Sequence, residues 1–133
     1  MKKYIIYSDG GARGNPGPAA IGAVIKDEAN NLVQEISKTI GETTNNQAEY
    51  QAILAGLEAV KNLGGEEVDC FLDSELVVKQ LRHEYKVKNK DLAPLFVKVH
   101  NLSLQFKKIS FTHVRREQNK EADCLVNKAL DNA

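Results

Sequence analysis

The hydrophobic period of the chain changes from two to about 3.6 residues at Thr44, and no other feature restricts the fold as strongly. Before that point, residues 4–9, 21–25 and 32–39 read as strands. The first two are joined by a turn-rich loop, Gly10-Gly11-Ala12-Arg13-Gly14-Asn15-Pro16-Gly17-Pro18, and the second and third by a hairpin connection over 27–31. Thr44 followed three residues later by Gln47 is a capping box. Ala52, Ile53, Gly56, Leu57, Val60 and Leu63 then recur at helical spacing until Gly64-Gly65 stops the helix. Beyond it, Val68, Cys70 and Leu72 alternate with Asp69, Phe71 and Asp73, the pattern of a short half-buried strand. The spacing predicts a helix from 74 to about 83, a polar loop over 84–91 and a helix opened by Pro94 that reaches about 104. A last strand over 109–114 follows, then a helix capped by Asn119 and carrying Leu125, Val126, Ala129 and Leu130.

The order βββαβααβα has one economical solution. Three strands on short loops make an antiparallel meander, and strands reached through helices join as parallel neighbours by right-handed crossovers. The expected fold is α/β: a five-stranded mixed sheet, three antiparallel strands then two parallel, flanked by helices. In such open sheets ligands bind beyond the carboxyl ends of adjacent parallel strands. A length of 133 residues argues for a single domain over 1–133. No apolar run approaches the ~20 residues of a bilayer span, and Asp9 interrupts the apolar start before a signal-peptide core is complete. The expectation is a cytoplasmic protein with no membrane partner. The only two cysteines, Cys70 and Cys124, argue against a disulfide framework and read as two buried thiols in a reducing compartment.

The formal net charge is zero, but the charges are segregated. Residues 27–75 hold eleven acidic side chains and two basic ones, a net of −9; residues 79–120 hold eleven basic and three acidic, a net of +8. His83, Tyr85, Phe96, His100, Phe106 and Phe111 are interleaved with the basic set. An acidic region beside a basic one suits a protein that holds metal with one part and phosphates with the other.

Four carboxylates are candidates for chemistry. Asp9 interrupts an apolar strand, where Asp is disfavoured, and Asp73 ends another. Glu49 lies in the first turns of the capped helix and Asp123 early in the last one. Each has a local alternative: a turn residue at Asp9, a cap at Asp73, helix-dipole compensation at Glu49 and Asp123. All four, however, come from elements that can meet at one end of the sheet. Carboxylates packed together repel unless a cation neutralises them, and hard divalent metals take oxygen ligands. A pair of magnesium ions can clamp the attacking and leaving oxygens of a phosphoryl displacement. His83, His100 and His113 show no ligand pairing, and no nucleophile elbow, phosphate-binding loop or dinucleotide fingerprint is present.

These motifs resemble the type 1 ribonuclease H family, in its short, archaeal-like branch. The stretch from Asp9 to Pro18 is similar to the family's first motif and Thr44-Asn45-Asn46-Gln47-Ala48-Glu49-Tyr50 to its second. Leu72-Asp73-Ser74 is similar to the third and Asn119-Lys120-Glu121-Ala122-Asp123 to the fourth, in the family's order and across nearly the whole chain. The resemblance implies a ribonuclease H-like fold and endonucleolytic hydrolysis of the RNA strand of an RNA–DNA hybrid. It implies two Mg2+ ions, with Mn2+ as the alternative ion, held by Asp9, Glu49, Asp73 and Asp123, with Asp9 bridging them. It also implies that Gly10, Gly11, Asn15, Asn45 and Asn46 meet the hybrid and that Thr44 helps to hold a phosphate of the DNA strand. Short amides beside a Gly-rich backbone can approach a wide, shallow minor groove and its 2′-hydroxyls.

Three features depart from the family pattern. The loop histidine before the last aspartate is missing, which leaves Arg115, Arg116 or Glu117 as substitutes. Glu75 stands where relatives carry a groove-reading glutamine and is expected to meet the groove by accepting a guanine amino proton, though it adds negative charge near the metals, and the basic protrusion is abbreviated to Lys86-Val87-Lys88-Asn89-Lys90. Lys79, Arg82, Lys86, Lys88 and Lys90 are expected to attract phosphates diffusely. The expected partner is an RNA–DNA hybrid, with double-stranded RNA as a second substrate candidate, and the expected state is a monomer. The competing readings are a non-catalytic hybrid-binding module and a related nuclease that cuts double-stranded RNA.

Overall fold

The computed structural model describes residues 2–133. Its elements are β1 (Lys3–Ala12), β2 (Gly17–Asp27), β3 (Leu32–Thr43), α1 (Asn45–Asn62), β4 (Glu67–Leu72), α2 (Glu75–Leu81), α3 (Ala93–Ser103), β5 (Lys108–His113) and α4 (Lys120–Asp131), with a short 3-10 turn at Arg116–Gln118. They build a five-stranded sheet in the order β3-β2-β1-β4-β5. The first three strands are antiparallel, and β4 and β5 join as parallel neighbours. The expected mixed sheet and element order are therefore present.

The strands run further than their local patterns suggest. β1 continues past Asp9 because Gly10, Gly11 and Ala12 pair with Ile21, Ala20 and Ala19, which shortens the expected loop to the residues around Gly14 and Asn15. Glycines and turn residues read as loop in isolation, but their backbone groups gain partners from the neighbouring strand.

The core lies on one face of the sheet. Ile6 of β1 and Val68, Cys70 and Leu72 of β4 pack against Tyr50, Ile53, Leu57 and Val60 of α1 and against α2 and α3. Tyr50 is fully buried, and its hydroxyl donates to Gln80 Oε1 at 2.6 Å, which ties α1 to α2. Leaving that Gln80 oxygen unpaired would cost about 1–3 kcal/mol. Helix α4 covers the other face over β2 and β3. Ala122, Leu125 and Val126 are buried there, and Ser37 Oγ donates to the Leu125 carbonyl at 2.7 Å. Gly22 permits this approach, since a Cβ there would lie 2.3 Å from the Ala122 carbonyl oxygen.

Two local expectations need correction. Cys70 is buried, and burial pushes its thiol well above the ordinary range, but Cys124 is exposed. It falls on the outer face of α4, because helical spacing turns Ala122, Leu125 and Val126 inward. Asn119 does stand at the N-cap of α4, yet its side chain makes no capping hydrogen bond. Among the described residues, no helix is long and apolar enough to cross a membrane.

Candidate active site

The site forms at the carboxyl end of the central strands. Asp9 lies on β1 and Asp73 directly follows β4; Ser8 and Leu72, one residue earlier on each strand, are paired in the sheet. Side chains on one face of a strand recur every second residue, so Asp9 and Asp73 emerge from the same face as the stacked pair Tyr7 and Phe71. Glu49 arrives from α1. That helix starts where it does because Thr44 caps it: Thr44 Oγ1 accepts from the Gln47 N–H at 3.2 Å, and Gln47 Oε1 accepts from the Thr44 N–H at 3.1 Å. The close approach of α1 to β1 then lets Glu49 Oε1 accept from the Gly10 N–H at 3.2 Å.

Asp9 is 7 % and Glu49 6 % exposed, and carboxylate oxygens of Asp9, Glu49 and Asp73 all lie within 4.8 Å of one another. Asp123 lines the same cleft from α4 and is near enough for its charge to act on Asp9, but it lies outside this tight group. Burial pushes the Asp9 carboxyl up to about 7, and the charges of Asp73 and Asp123 add to the rise. Burial, reinforced by Asp9, drives Glu49 well above the usual carboxylate range. Without a cation, these groups resist carrying their charges together.

The donor set itself fits a hard divalent cation. Every converging atom is a carboxylate oxygen, as such ions require. Glu49 Oε2 is buried without a hydrogen-bond partner, an acceptor free for a metal. Asp9, Glu49 and Asp73 are the residues that would hold it, with Asp123 beside them.

The cleft has a volume of about 490 Å3, and Gly10, Gly11, Asn45, Asn46, Ser74 and Arg116 also line it. Asn45 is tied down on both sides: its Oδ1 accepts from the Ala12 N–H at 2.8 Å, and its own N–H donates to Asn15 Oδ1 at 3.0 Å. Asn15 thus sits at the rim, and Thr44 is engaged in the cap. Glu75 lies outside the cleft, exposed and paired with Lys79 at 2.9 Å. Lys86 and Lys88 are exposed on the loop after α2, also away from the carboxylates. His83, Phe96 and His100 pack their rings on one another, with the two imidazole centroids 5.3 Å apart, and do not face the cleft. Of the three residues near the missing loop histidine, Arg116 alone lines the cleft.

Asn119 stands at the start of α4 as expected, but its side chain belongs to the site. The residue is 1 % exposed, and its Nδ2 donates to the Ser8 carbonyl at 2.9 Å and reaches Asp73 Oδ2 at 3.4 Å. It forgoes a cap worth about 1 kcal/mol. The Asn-x-x-x-Asp spacing to Asp123 was the available signal, since it sets both residues on one helix face.

Comparison with known proteins accords with this geometry. A family described as reverse transcriptase-like matches residues 7–129. The chain is 45% identical to ribonuclease HI of Halobacterium salinarum, covering 96% of this chain and 64% of that one. It is 32% identical to ribonuclease H of Ruthia magnifica, of which it covers 97%. It spans only 36% of a bifunctional protein of Mycobacterium tuberculosis that it matches at 43% identity. Among solved structures, the Halobacterium salinarum ribonuclease H1 superimposes with a TM-score of 0.96 at 44% identity, covering 98% of this chain and 99% of that one. LC11-RNase H1, solved in complex with an RNA/DNA hybrid, gives 0.93 at 47% identity, with 97% of each chain covered.

Proposed function

Because the chain belongs to the ribonuclease H family, we propose that it is a metal-dependent endonuclease that hydrolyses the RNA strand of RNA–DNA hybrids. The observation that carries this reading is the convergence of Asp9, Glu49 and Asp73 oxygens within 4.8 Å at the carboxyl edge of the sheet. Two magnesium ions, with manganese as the alternative, would supply an activated water and charge neutralisation at the leaving oxygen when held by Asp9, Glu49, Asp73 and Asp123.

The remaining chemistry belongs to the chain. Gly10 and Gly11 line the cleft with backbone alone, Gly10 because α1 packs where its side chain would stand, and Asn45 and Asn46 offer amides of the kind that read 2′-hydroxyls and minor-groove edges. The fixed carbonyl of Asn45 keeps its amide nitrogen turned outward as a donor. Two guanidinium groups line the cleft beside the carboxylates: Asp131 occupies Arg13 at 2.6 Å, and Arg116 is suited to a phosphate oxygen. Lys86 and Lys88 add diffuse attraction from outside, which is screened by salt. The cleft is complete without a second copy, so the proposed chemistry asks for no more than a monomer. The buried Cys70 and the exposed free thiol of Cys124 accord with a cytoplasmic setting.

The deciding assay presents labelled RNA–DNA hybrid, RNA duplex and DNA duplex in parallel, with and without Mg2+. Cleavage of the hybrid RNA strand only when metal is present is the expected outcome. Faster cutting of the RNA duplex would reassign the substrate, and binding of the hybrid without turnover would make the chain a recognition module.

A further inference from the structure

We infer that Asn119 is a positioning residue that holds the Asp73 carboxylate for metal. This rests on the reading of the acidic cleft as the metal centre and deepens it. Asn119 opens α4, the helix that carries Asp123, and its amide crosses to the two strands that carry Asp9 and Asp73. Nδ2 donates to the Ser8 carbonyl, in the peptide link leading into Asp9, at 2.9 Å. The same nitrogen reaches Asp73 Oδ2 at 3.4 Å, and among the described residues no other group donates to that carboxylate. One amide thus ties together the three elements that supply three of the four acids.

The pattern of satisfied and unsatisfied atoms favours this role over simple stabilisation. A side chain kept at a helix start for stability turns its oxygen to the backbone N–H groups of the first turn. Asn119 instead spends its donor on the site, and its Oδ1 is buried with no partner. The short bond to Ser8 anchors the amide on the central strand. The longer contact to Asp73 is of the kind that tightens when the site is loaded. By restraining rotation of the carboxylate at one oxygen, the amide leaves Asp73's remaining lone pairs directed to the cleft. Partners behind metal ligands act in this way, and removing one typically costs about 10–100-fold in metal affinity or activity.

The test compares Asn119→Ala with the wild type, and Asn119→Ala/Asp73→Asn with Asp73→Asn. It measures Mg2+ binding by calorimetry, kcat and KM on a hybrid, and the thermal midpoint. Expected are a kcat lower by about 10–100-fold, a KM for hybrid within about threefold and a Mg2+ Kd raised by about tenfold. In the Asp73→Asn background, removing Asn119 should move the Mg2+ Kd by less than about twofold, because the coupling partner is gone. A fall in thermal midpoint with kcat and Mg2+ Kd unchanged would overturn the inference, as would an equal loss of affinity in both backgrounds. If Asn119→Ala does not fold, Asn119→Leu keeps close to the side-chain volume, lacks the amide donor, adds no charge and carries the same comparison. Failure of the wild type itself to bind Mg2+ and cut hybrid would overturn the reading beneath; normal wild-type behaviour with wild-type-like variants would overturn this inference alone.

Discussion

The Gly10 N–H donates to Glu49 Oε1 at 3.2 Å, joining residues 39 positions apart in sequence and fixing where α1 meets the central strand. A Cβ on Gly10 would lie 2.2 Å from the Ala48 carbonyl carbon and 2.5 Å from the Glu49 nitrogen, both backbone atoms that cannot turn aside. Gly10→Ala must therefore push the helix start away from β1 and take Glu49 with it. The expected destabilisation is about 1–3 kcal/mol or more, with loss of hybrid cleavage. Urea unfolding and a cleavage assay below the new midpoint check both effects.

Asp73→Asn keeps the shape and an acceptor but removes a charge from the converging oxygens. Cleavage should fall by about 10³-fold, equivalent to roughly 4 kcal/mol, while the thermal midpoint and hybrid affinity stay close to wild type. Metal-dependent cleavage near the wild-type rate would exclude the carboxylate mechanism.

The raised acids set a pH dependence. Asp9 titrates near 7 in the folded protein, against an ordinary value of 3.8, and Glu49 is raised as well. Between those values the folded state holds more protons than the unfolded state, so stability falls as pH rises. Asp27 and Asp69, which their partners hold low, are already ionised by about pH 5 and do not reverse the slope. The metal-free thermal midpoint should drop on going from about pH 5 to 8, and added Mg2+ should reduce the drop. Cleavage should move the other way, declining below about pH 7 as protons compete with metal. Melts at several pH values with chelator or Mg2+ report the first trend, and a rate profile reports the second.

Arg116 is exposed but faces the cleft, whereas Glu117 lines a separate depression beside Tyr7 and Lys26. Arg116→Ala is expected to reduce kcat/KM by about tenfold or more through a lost charge-assisted contact to phosphate. Glu117→Ala should remain within about twofold, and neither should shift the melting temperature appreciably. Equal effects from both would remove Arg116 from the site.

Glu75 occupies Lys79 at 2.9 Å, and the lysine also lies 4.9 Å over the Tyr85 ring. Glu75→Gln frees that cation, so hybrid affinity should rise by about two- to threefold at low salt and the gain should vanish near 0.5 M. Lys86→Ala and Lys88→Ala should each reduce the slope of log affinity against log salt by about one. Anisotropy titrations over a salt series measure all three; a slope unmoved by both lysine changes would exclude this loop from the phosphate surface.

Much of this molecule was legible in short windows. Thr44 and Gln47 are three residues apart, so their reciprocal cap is a local event that neighbours cannot alter. The alternation of Val68, Cys70 and Leu72 names the buried face of β4 directly, because a strand turns successive side chains to opposite faces. Asp9 and Asp73 stood out for the same reason, as charges at the ends of apolar strands. Other features were not readable in this way. The extension of β1 through Gly10 to Ala12 depends on pairing with residues 19–21. The isolation of Glu75, the inward turn of Arg116 and the exposure of Cys124 depend on how whole elements pack.

Asn119 marks the boundary. Its type and position determined that a helix begins there, since any Ser, Thr, Asp or Asn before such a run competes for the first-turn N–H groups. Only the tertiary structure decided that its side chain would leave those groups for Ser8 and Asp73. The sequence alone determined the elements, their order and the acids they carry, because periodicity and capping are short-range properties of the backbone. Which acids converge, which amide steadies them and which cation faces them are set by contacts between residues far apart in the chain, and those exist only once the sheet and helices have packed.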